Sequence, residues 1–435
     1  MAENIAEHLK ELARQSERKL SALTDIRRSL HRHPEAGWTE FRTTGMVVKR
    51  LRELGYRVET GSDCVQPDAV RGWPEDAVVK ESRAQAGDLA RGIEVPGAVG
   101  ILERGSGPTV ALRFDMDATE VSESTDAAHP PVAQGFASGK SAVMHACGHD
   151  AHVAIGLGAA ELLAEDPDWR GRVKLLFQPA EEGGRGAHPM VEAGVVDDAD
   201  YFACLHMGGP TLPLGEVALE ATHFLSSVKM EARFRGVASH AGGAPERGRN
   251  ALLAACQATL ALHSLPRNGQ GATFVNVGVL NAGTGTNVVP SDALMKYEVR
   301  GGTDDICELM EEGARRCLSG AATLQGVEVD TEITGRTIGA KSDDEMKDHL
   351  AWVAGSSPVD FRVHDARPLG GGEDATYFMR RVQERGGKSL YFLLGGSTPT
   401  GHHTSTFDVD ERALAHGAML MAGMVLRLTG SGAGG

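Results

Sequence analysis

Residues 144–152 (MHACGHDAH) place several side chains of metal-binding type close together. If the segment is extended, Cys147 and His149 point the same way, because alternate residues of a strand share a face. Both side chains could then reach one ion, and a thiolate with an imidazole is typical of sites for borderline-soft divalent cations. Added carboxylates would suit zinc, manganese or cobalt. The segment therefore predicts a metal site.

Two adjacent carboxylates, Glu181 and Glu182, follow an apolar run. Neighbours on an extended segment face opposite ways, so one can bind a metal while the other faces a reacting water. A carboxylate beside such a water can take its proton and later pass it to a leaving nitrogen. The pair therefore indicates a metal-dependent hydrolase in which water attacks an amide.

Asp115 and Asp117 come directly after another apolar run. We expect Asp117 to hydrogen-bond a ligating histidine and to fix its tautomer. Asp115 stays open between a metal ligand, a surface acid and a helix cap. His152 is expected to lie in the core or to support a ligand rather than to bind metal.

The two aspartates and the two glutamates follow short apolar runs that are typical of buried strands. Helical patterns lie between or after the runs, so the order predicts an α/β fold with a central, mostly parallel sheet and helices on both faces. In such sheets the chemistry lies beyond the carboxyl ends of the strands. The predicted strands are residues 110–114, 173–177, 201–205 and 390–394, and His206 and His403 follow the last two.

Residues 224–336 have a different pattern, which predicts the order β-α-β-β-α-β of a ferredoxin-like α+β domain. Catalytic-domain strands flank it on both sides, so we expect an inserted lid or dimerisation domain. The metal-binding catalytic domain then comprises residues 1–223 and 337–435. A polar stretch rich in glycine and proline, at about 61–97, is interpreted as an insertion in the catalytic domain.

The composition restricts the class of protein. A chain of 435 residues with 41% hydrophobic and 24% charged residues is ordinary for a globular protein of two domains. A net charge of −15 disfavours nucleic acid as a partner. Apolar runs are too short for a membrane span. The N-terminus lacks a signal-peptide pattern, and six scattered cysteines indicate reduced thiols, so we expect a cytoplasmic protein.

Four ordered motifs resemble the amidohydrolase branch of the aminoacylase/carboxypeptidase metallopeptidase family. The resemblance begins at residues 30–35 (LHRHPE) and runs nearly to the C-terminus. It implies that two divalent metal ions, manganese or zinc, are bound by Cys147, His149, Glu182, His206 and His403, with Glu181 as general acid/base. The motifs are residues 113–118 (RFDMDA), 144–152, 177–183 (FQPAEEG) and 239–242 (SHAG).

The resemblance also assigns supporting roles. Asp117 and Asp150 would support the metal ligands, and Asn287 and Arg300 would hold the substrate carboxylate. His240 would stabilise the oxyanion in a partner's active site, because family members often dimerise through the inserted domain. His403 is preferred to His402 because its spacing from the following acidic segment matches the family. The chain would thus form a homodimer or a hetero-oligomer with a homologous subunit.

Within the branch, residues 36–42 (AGWTEFR), 135–138 (GFAS) and 401–403 (GHH), together with the insertion, resemble the group that acts on p-aminobenzoyl-glutamate. The resemblance implies cleavage of this small molecule to p-aminobenzoate and glutamate, as in folate catabolite breakdown. Two alternatives stay open. One is hydrolysis of another N-acyl amino acid, such as an indole-acetyl or benzoyl conjugate, and the other is a non-catalytic homologous subunit of a hydrolase complex.

Overall fold

The computed structural model describes residues 2–209 and 211–430. Its strands form an eight-stranded sheet, a four-stranded sheet and a two-stranded ribbon. The helices are α1 (Ala2–Arg32), α2 (Phe41–Glu53), α3 (Asp76–Ala86), α4 (Pro130–Ala133), α5 (His149–Glu165), α6 (Ala187–Glu192), α7 (Ala251–His263), α8 (Asp304–Gln325), α9 (Asp344–Ser356), α10 (Thr376–Glu384) and α11 (Arg412–Thr429). The strands are β1 (Arg57–Thr60), β2 (Ala98–Arg104), β3 (Thr109–Asp115), β4 (Gly171–Gln178), β5 (Tyr201–Met207), β6 (Glu216–Ala218), β7 (Ala221–Thr222), β8 (Ser226–Arg235), β9 (Thr273–Ala282), β10 (Asp292–Gly301), β11 (Glu328–Thr337), β12 (Arg362–His364), β13 (Arg367–Pro368) and β14 (Lys388–Leu394).

The eight-stranded sheet has the order β1-β2-β4-β3-β5-β14-β6-β12. Its central strands β4, β3, β5 and β14 are parallel, and antiparallel pairs lie toward the edges. The central strands are buried at nearly every position, because helices cover both faces of the sheet. One hydrophobic cluster joins the sheet to α1, α5, α9 and α11, and a second joins its other face to α6 and α10.

The predicted α/β class is therefore confirmed. Parallel strands bring their carboxyl ends to one edge of the sheet, and the polar motifs follow these ends as predicted. Within the described ranges, every helix is too short or too polar to cross a bilayer.

The predicted β-α-β-β-α-β order is also confirmed, as β8-α7-β9-β10-α8-β11. The strands form an antiparallel sheet in the order β11-β8-β10-β9. Residues of β8 alternate between buried and more exposed positions, because α7 and α8 cover only one face of this sheet. We propose domain limits at 224 and 336; residues 431–435 of the catalytic domain lie outside the described residues.

The segment 61–97 connects two paired strands. Thr60 at the end of β1 pairs with Ala98 at the start of β2, so the chain leaves and re-enters the sheet at neighbouring positions. Between these residues lie helix α3 and three short 3₁₀ turns. The segment packs through Cys64, Val65 and Val79 against the catalytic domain.

Candidate active site

Five predicted ligands gather at the carboxyl edge of the large sheet. The donor atoms of Cys147, His149 and Glu182 all lie within 4.8 Å of one another. Nε2 of His206 is 3.5 Å from the Cys147 sulfur. Nε2 of His403 is 3.1 Å from a Glu182 oxygen. A thiol, a carboxylate and three imidazoles, distant along the chain, thus share one place.

The backbone that carries Cys147 and His149 is not the extended segment that we predicted. Gly148 has a left-handed φ of 90°, and His149 is the first residue of α5. A side chain at Gly148 would be strained by this φ and would lie 3.1 Å from Met207. The glycine therefore turns the chain sharply, and this turn aims both side chains at one point.

Hydrogen bonds set the tautomers of two of these histidines. Nδ1 of His149 donates to the backbone carbonyl of Asp117 at 2.9 Å, and Nδ1 of His206 donates to that of Met207 at 2.8 Å. In a neutral ring this leaves the lone pair on Nε2. Nε2 of His149 is buried and makes no hydrogen bond with any residue that the structure describes. An orphaned nitrogen beside a thiol and a carboxylate fits a divalent metal ion.

The charges around His149 favour a cation. Burial alone would lower the pKa of His149, but Asp115, Asp117 and Cys147 raise that pKa well above its ordinary value. The same surroundings would stabilise a bound metal ion in place of the ring proton. The site therefore fits the predicted cofactor by both donor type and charge.

His403 and His402 differ in their contacts. His403 has a φ of 59°, and hydrogen bonds with Cys147 and Glu182 raise its pKa to about 10. Nε2 of His402 instead donates to the Met207 carbonyl at 3.0 Å, and burial lowers the pKa of that ring to about 4. Only His403 is thus directed at Glu182.

Glu181 and Glu182 lie in a turn rather than on the predicted extended segment, and Ala180 before them has a φ of 50°. Asp117 holds this turn, since its carboxylate accepts the N–H of Glu181 at 3.0 Å and that of Glu182 at 2.9 Å. Asp117 therefore positions both the His149 ring and the two glutamates.

The two glutamates have different electrostatic surroundings. Burial and the nearby carboxylates of Glu373, Glu182 and Asp374 raise the pKa of Glu181 well above its ordinary value. Burial would also raise the pKa of Glu182, but His403 and His149 lower it below its ordinary value. A carboxyl that holds its proton more tightly than its neighbour suits an acid/base role.

Sequence reasoning missed the buried acids Glu373 and Asp374. Their carboxylates lie within 4.8 Å of that of Glu181. Buried Arg113 offsets their charge, with its Nη2 2.9 Å from Glu373 and 3.5 Å from Asp374. Tyr391 also donates to Glu373 at 2.5 Å. The sequence feature that could have drawn attention to this acidic pair is the run of three glycines at 370–372 directly before it.

Asp115, which we left open, is fully buried. Its carboxylate accepts from Arg113 at 2.7 Å and from Nδ1 of His152 at 2.5 Å. Nε2 of His152 accepts the N–H of Met207 at 2.9 Å, so both ring nitrogens of His152 are used. An oxygen of Asp115 also lies 3.5 Å from Nε2 of His149. Asp115 and His152 thus connect the end of β3 to the end of β5.

Asp150 contacts α1 rather than a ligand ring. Its carboxylate accepts from Arg27 at 2.9 Å and lies 2.8 Å from Nδ1 of His31. Arg27 also donates to Asp408 at 2.5 Å. Because Asp150 follows His149 and Asp408 lies in the loop after His403, this one buried arginine connects two ligand-bearing segments.

A cleft of about 370 Å³ opens beside the ligands and is shared by both sheets. From the catalytic domain, Cys147, Glu181 and Glu182 line it, and from the small sheet Lys229 and Arg300. Nε and Nη2 of Arg300 each donate to the Glu298 carboxylate at 3.0 Å. The cleft therefore combines the candidate metal ligands with two cationic side chains.

The structure does not bring His240 and Asn287 to this cleft. His240 forms an isolated bridge with Val288, next to Asn287, and both predicted residues are exposed. Both residues lie beyond the start of β10, whereas Arg300 lies near the end of that strand. About 27 Å of strand therefore separates them from Arg300. Nδ1 of His240 accepts the N–H of Gly243 at 2.9 Å, which leaves Nε2 to donate.

Comparison with known proteins gives concordant results. The profile of Peptidase family M20/M25/M40 matches residues 111–427. Indole-3-acetyl-aspartic acid hydrolase of Enterobacter agglomerans is 43% identical over 409 residues, which cover 91% of this chain and 93% of that protein. A p-aminobenzoyl-glutamate hydrolase subunit of Escherichia coli (strain K12) is 43% identical over 407 residues, 90% of this chain and 92% of that protein.

A solved structure is similar over the same extent. The aminobenzoyl-glutamate utilization protein from Klebsiella pneumoniae superposes with a TM-score of 0.80 at 36% identity, and the match covers 95% of this chain and 98% of that one. The similarity therefore includes both sheets and the connections between them.

Proposed function

Because this chain belongs to Peptidase family M20/M25/M40 and is a metallo-amidohydrolase, we propose that it cleaves the amide bond of an N-aroyl amino acid. The best candidate is p-aminobenzoyl-glutamate, which is named in one relative, and the similar structure carries aminobenzoyl-glutamate in its name. The observation that carries the proposal is the position of Glu181 in a cleft that contains the metal-ligand cluster and the cations Lys229 and Arg300.

The two cations support an acidic amino acid as the leaving half of the substrate. Arg300 presents a planar fork that matches a carboxylate, and the ammonium of Lys229 lies near enough to Glu182 to lower its pKa. Glutamate and aspartate carry two carboxylates, and the names of both relatives contain one of these amino acids. In this proposal Arg300 and Asn287 hold the substrate carboxylate, with Asn287 supplied from another copy of the chain.

Divalent metal ions belong to this function, and we propose two of them, manganese or zinc. Cys147, His149, Glu182, His206 and His403 would hold the pair. When bound, such ions acidify a coordinated water and polarise an amide carbonyl. Asp117 would support this set through its contacts with His149 and with the turn that carries Glu182. Asp150 would support it by tying the start of α5, next to His149, to Arg27 of α1.

Glu181 acts as the general base and then as the general acid. Its carboxylate takes a proton from the attacking water and delivers that proton to the amide nitrogen as the bond breaks. The neighbouring acids favour the protonated form of Glu181, which helps it to retain the proton between these two transfers. The side chain of Glu181 is largely buried, which limits its contact with bulk water.

We propose a homodimer in which His240 completes the partner's site. Strand β9 is an edge of the small sheet and exposes Phe274 and Leu280, and α7 exposes Leu260. An edge strand with exposed apolar side chains favours pairing with a second copy. His240 would then donate from Nε2 to the oxyanion that forms in the partner's cleft.

Two alternatives are retained. The Enterobacter relative carries indole-3-acetyl-aspartic acid in its name, so an arylacetyl-aspartate is the rival substrate. The Escherichia relative is named as one subunit of its hydrolase, so the rival assembly is a hetero-oligomer with a homologous subunit, in which this chain is either catalytic or not. The complete set of ligands and acids at the cleft supports a catalytic chain. A cytoplasmic location stays a prediction.

The decisive experiment uses the purified chain alone, treated with a chelator and then reloaded with manganese or zinc. We expect no hydrolysis of p-aminobenzoyl-glutamate after chelation and full recovery with one of the metals. A panel that varies the acyl half and the amino-acid half then measures kcat/KM for each substrate. A preference for indole-acetyl-aspartate would show that this compound, rather than p-aminobenzoyl-glutamate, is the substrate. Activity without metal would contradict the proposed mechanism.

A further inference from the structure

A second, larger groove extends from the catalytic cleft. It has a volume of about 910 Å³ and shares Glu182, Lys229 and His403 with that cleft. One wall is the open face of the small sheet, and the opposite wall includes Trp73 and Val78 from the segment 61–97. The proposed function leaves this groove and this segment without a role.

The segment is fixed firmly to the catalytic machinery at this wall. Nε1 of buried Trp38 donates to the Arg71 carbonyl at 2.8 Å. Arg185 donates from Nη1 to the Gly72 carbonyl at 3.2 Å and from Nε to the Glu182 carbonyl at 3.1 Å. The guanidinium of Arg185 therefore links the backbone of Gly72, the residue before Trp73, to the backbone of Glu182, a candidate metal ligand.

Trp73 itself is positioned to meet a ligand. Its ring centroid lies 5.8 Å from that of Trp38 at an interplanar angle of 43°. Trp38 is fully buried, whereas Trp73 is 37% exposed and lines the groove. Gly72 has a φ of 60°, and a Cβ there would lie 2.8 Å from the Thr334 carbonyl of β11. The tight backbone fit at Gly72 holds the indole at the mouth of the groove.

We infer that this groove is the acyl subsite and that Trp73 determines specificity by stacking on a planar aromatic acyl group. The inference rests on the proposed function and deepens it. The smaller cleft, with Lys229 and Arg300, takes the acidic amino acid, and Glu182 and His403 lie where the two cavities join, beside the amide bond. Both halves of an N-aroyl amino acid then have a place.

The test compares 4-aminobenzoyl-glutamate with N-acetyl-glutamate, which shares the amino acid but lacks the ring. In Trp73→Ala we expect KM for the aroyl substrate to rise about 3- to 10-fold, since aromatic stacking contributes a modest free energy. KM for the acetyl substrate and kcat for both should not change. Trp73→Phe should restore most of the aroyl KM. Leu324→Ala, an exposed apolar residue of α8, is the matched control.

Equal changes for both substrates in Trp73→Ala, or no change for either, would overturn the inference, because Trp73 would then only support the fold or play no part. If the wild-type chain hydrolyses neither substrate, the proposed function fails and the groove is tested by calorimetry with 4-aminobenzoate. Binding that Trp73→Ala abolishes and Trp73→Phe keeps would still support the subsite. Binding that is absent, or equal in all variants, would contradict it.

Discussion

At the carboxyl edge of the large sheet most candidate site residues are buried, although His403 is exposed, and the buried side chains of Asp117 and Arg113 each make several polar contacts there. On the small sheet the candidate residues are more exposed, and Arg300 is held mainly by its neighbour Glu298. His240 is held by two backbone N–H groups of its own loop. The first region is thus preorganised within one chain, whereas the second needs substrate or another chain to complete it.

The largest effect that would test this difference is expected at Glu181. Glu181→Gln keeps the shape of the side chain but cannot take a proton, so kcat should fall by about 10²–10⁴. KM and the bound metal content should stay close to wild type. Steady-state kinetics and elemental analysis measure these quantities, with exposed Glu332→Gln as control. A variant with more than a tenth of wild-type kcat would exclude Glu181 as the acid/base.

The buried network predicts a large loss of stability at Arg27. Arg27→Met leaves the buried carboxylates of Asp150 and Asp408 without their cation, which should cost about 3–5 kcal/mol of unfolding free energy. Arg28 is a matched control, since it is partly exposed and pairs with Glu411 at 2.7 Å. Arg28→Met should cost at most about 1 kcal/mol. Urea unfolding compares them, and equal losses would refute a special role for the buried network.

Substitution of His240, which is exposed on the small domain, is expected to lower kcat without lowering the unfolding free energy. His240→Ala should lower kcat by about 10²–10³, as expected for one oxyanion donor, while the unfolding free energy stays unchanged. Mixing this variant with Glu181→Gln and allowing subunits to exchange should restore roughly a quarter of wild-type activity, because one site in each mixed dimer regains both groups. Absence of any recovery would show that His240 does not act across the dimer.

The smallest effect is expected at Arg300. Arg300→Lys keeps the charge but loses the planar fork, so KM should rise by about tenfold with little change in kcat. Arg235→Lys is the control, because Arg235 is an exposed arginine of the same sheet that pairs with Asp330 outside both cavities. If both variants have wild-type KM, Arg300 does not hold the substrate carboxylate.

The strands and helices that position the site could be predicted from the sequence because their patterns are local. Apolar runs identified the central strands, and alternation over residues 227–235 identified β8. The conformation around Gly148 and Ala180 was predicted wrongly as extended. Both residues have a positive φ, and hydrophobic periodicity does not reveal the sign of φ.

Long-range pairing accounts for what the sequence could not reveal. Nothing near Arg27 in the chain indicates that Asp150 and Asp408 will surround it. The roles of Glu373 and Asp374 likewise depend on contacts with Arg113 and Glu181, which lie on other elements. Such partners are set by the tertiary fold, because charges are stable in a core only when the folded chain brings their counterions to them.

The pairing of Thr60 with Ala98 has an evolutionary consequence. A connection whose two ends are already hydrogen-bonded neighbours can grow, shrink or be exchanged at a small entropic cost, because loop closure depends only weakly on length. The hydrolytic machinery could therefore stay intact while lineages replaced this one connection. Grafting such connections between relatives would be a direct way to redirect this scaffold toward new amides.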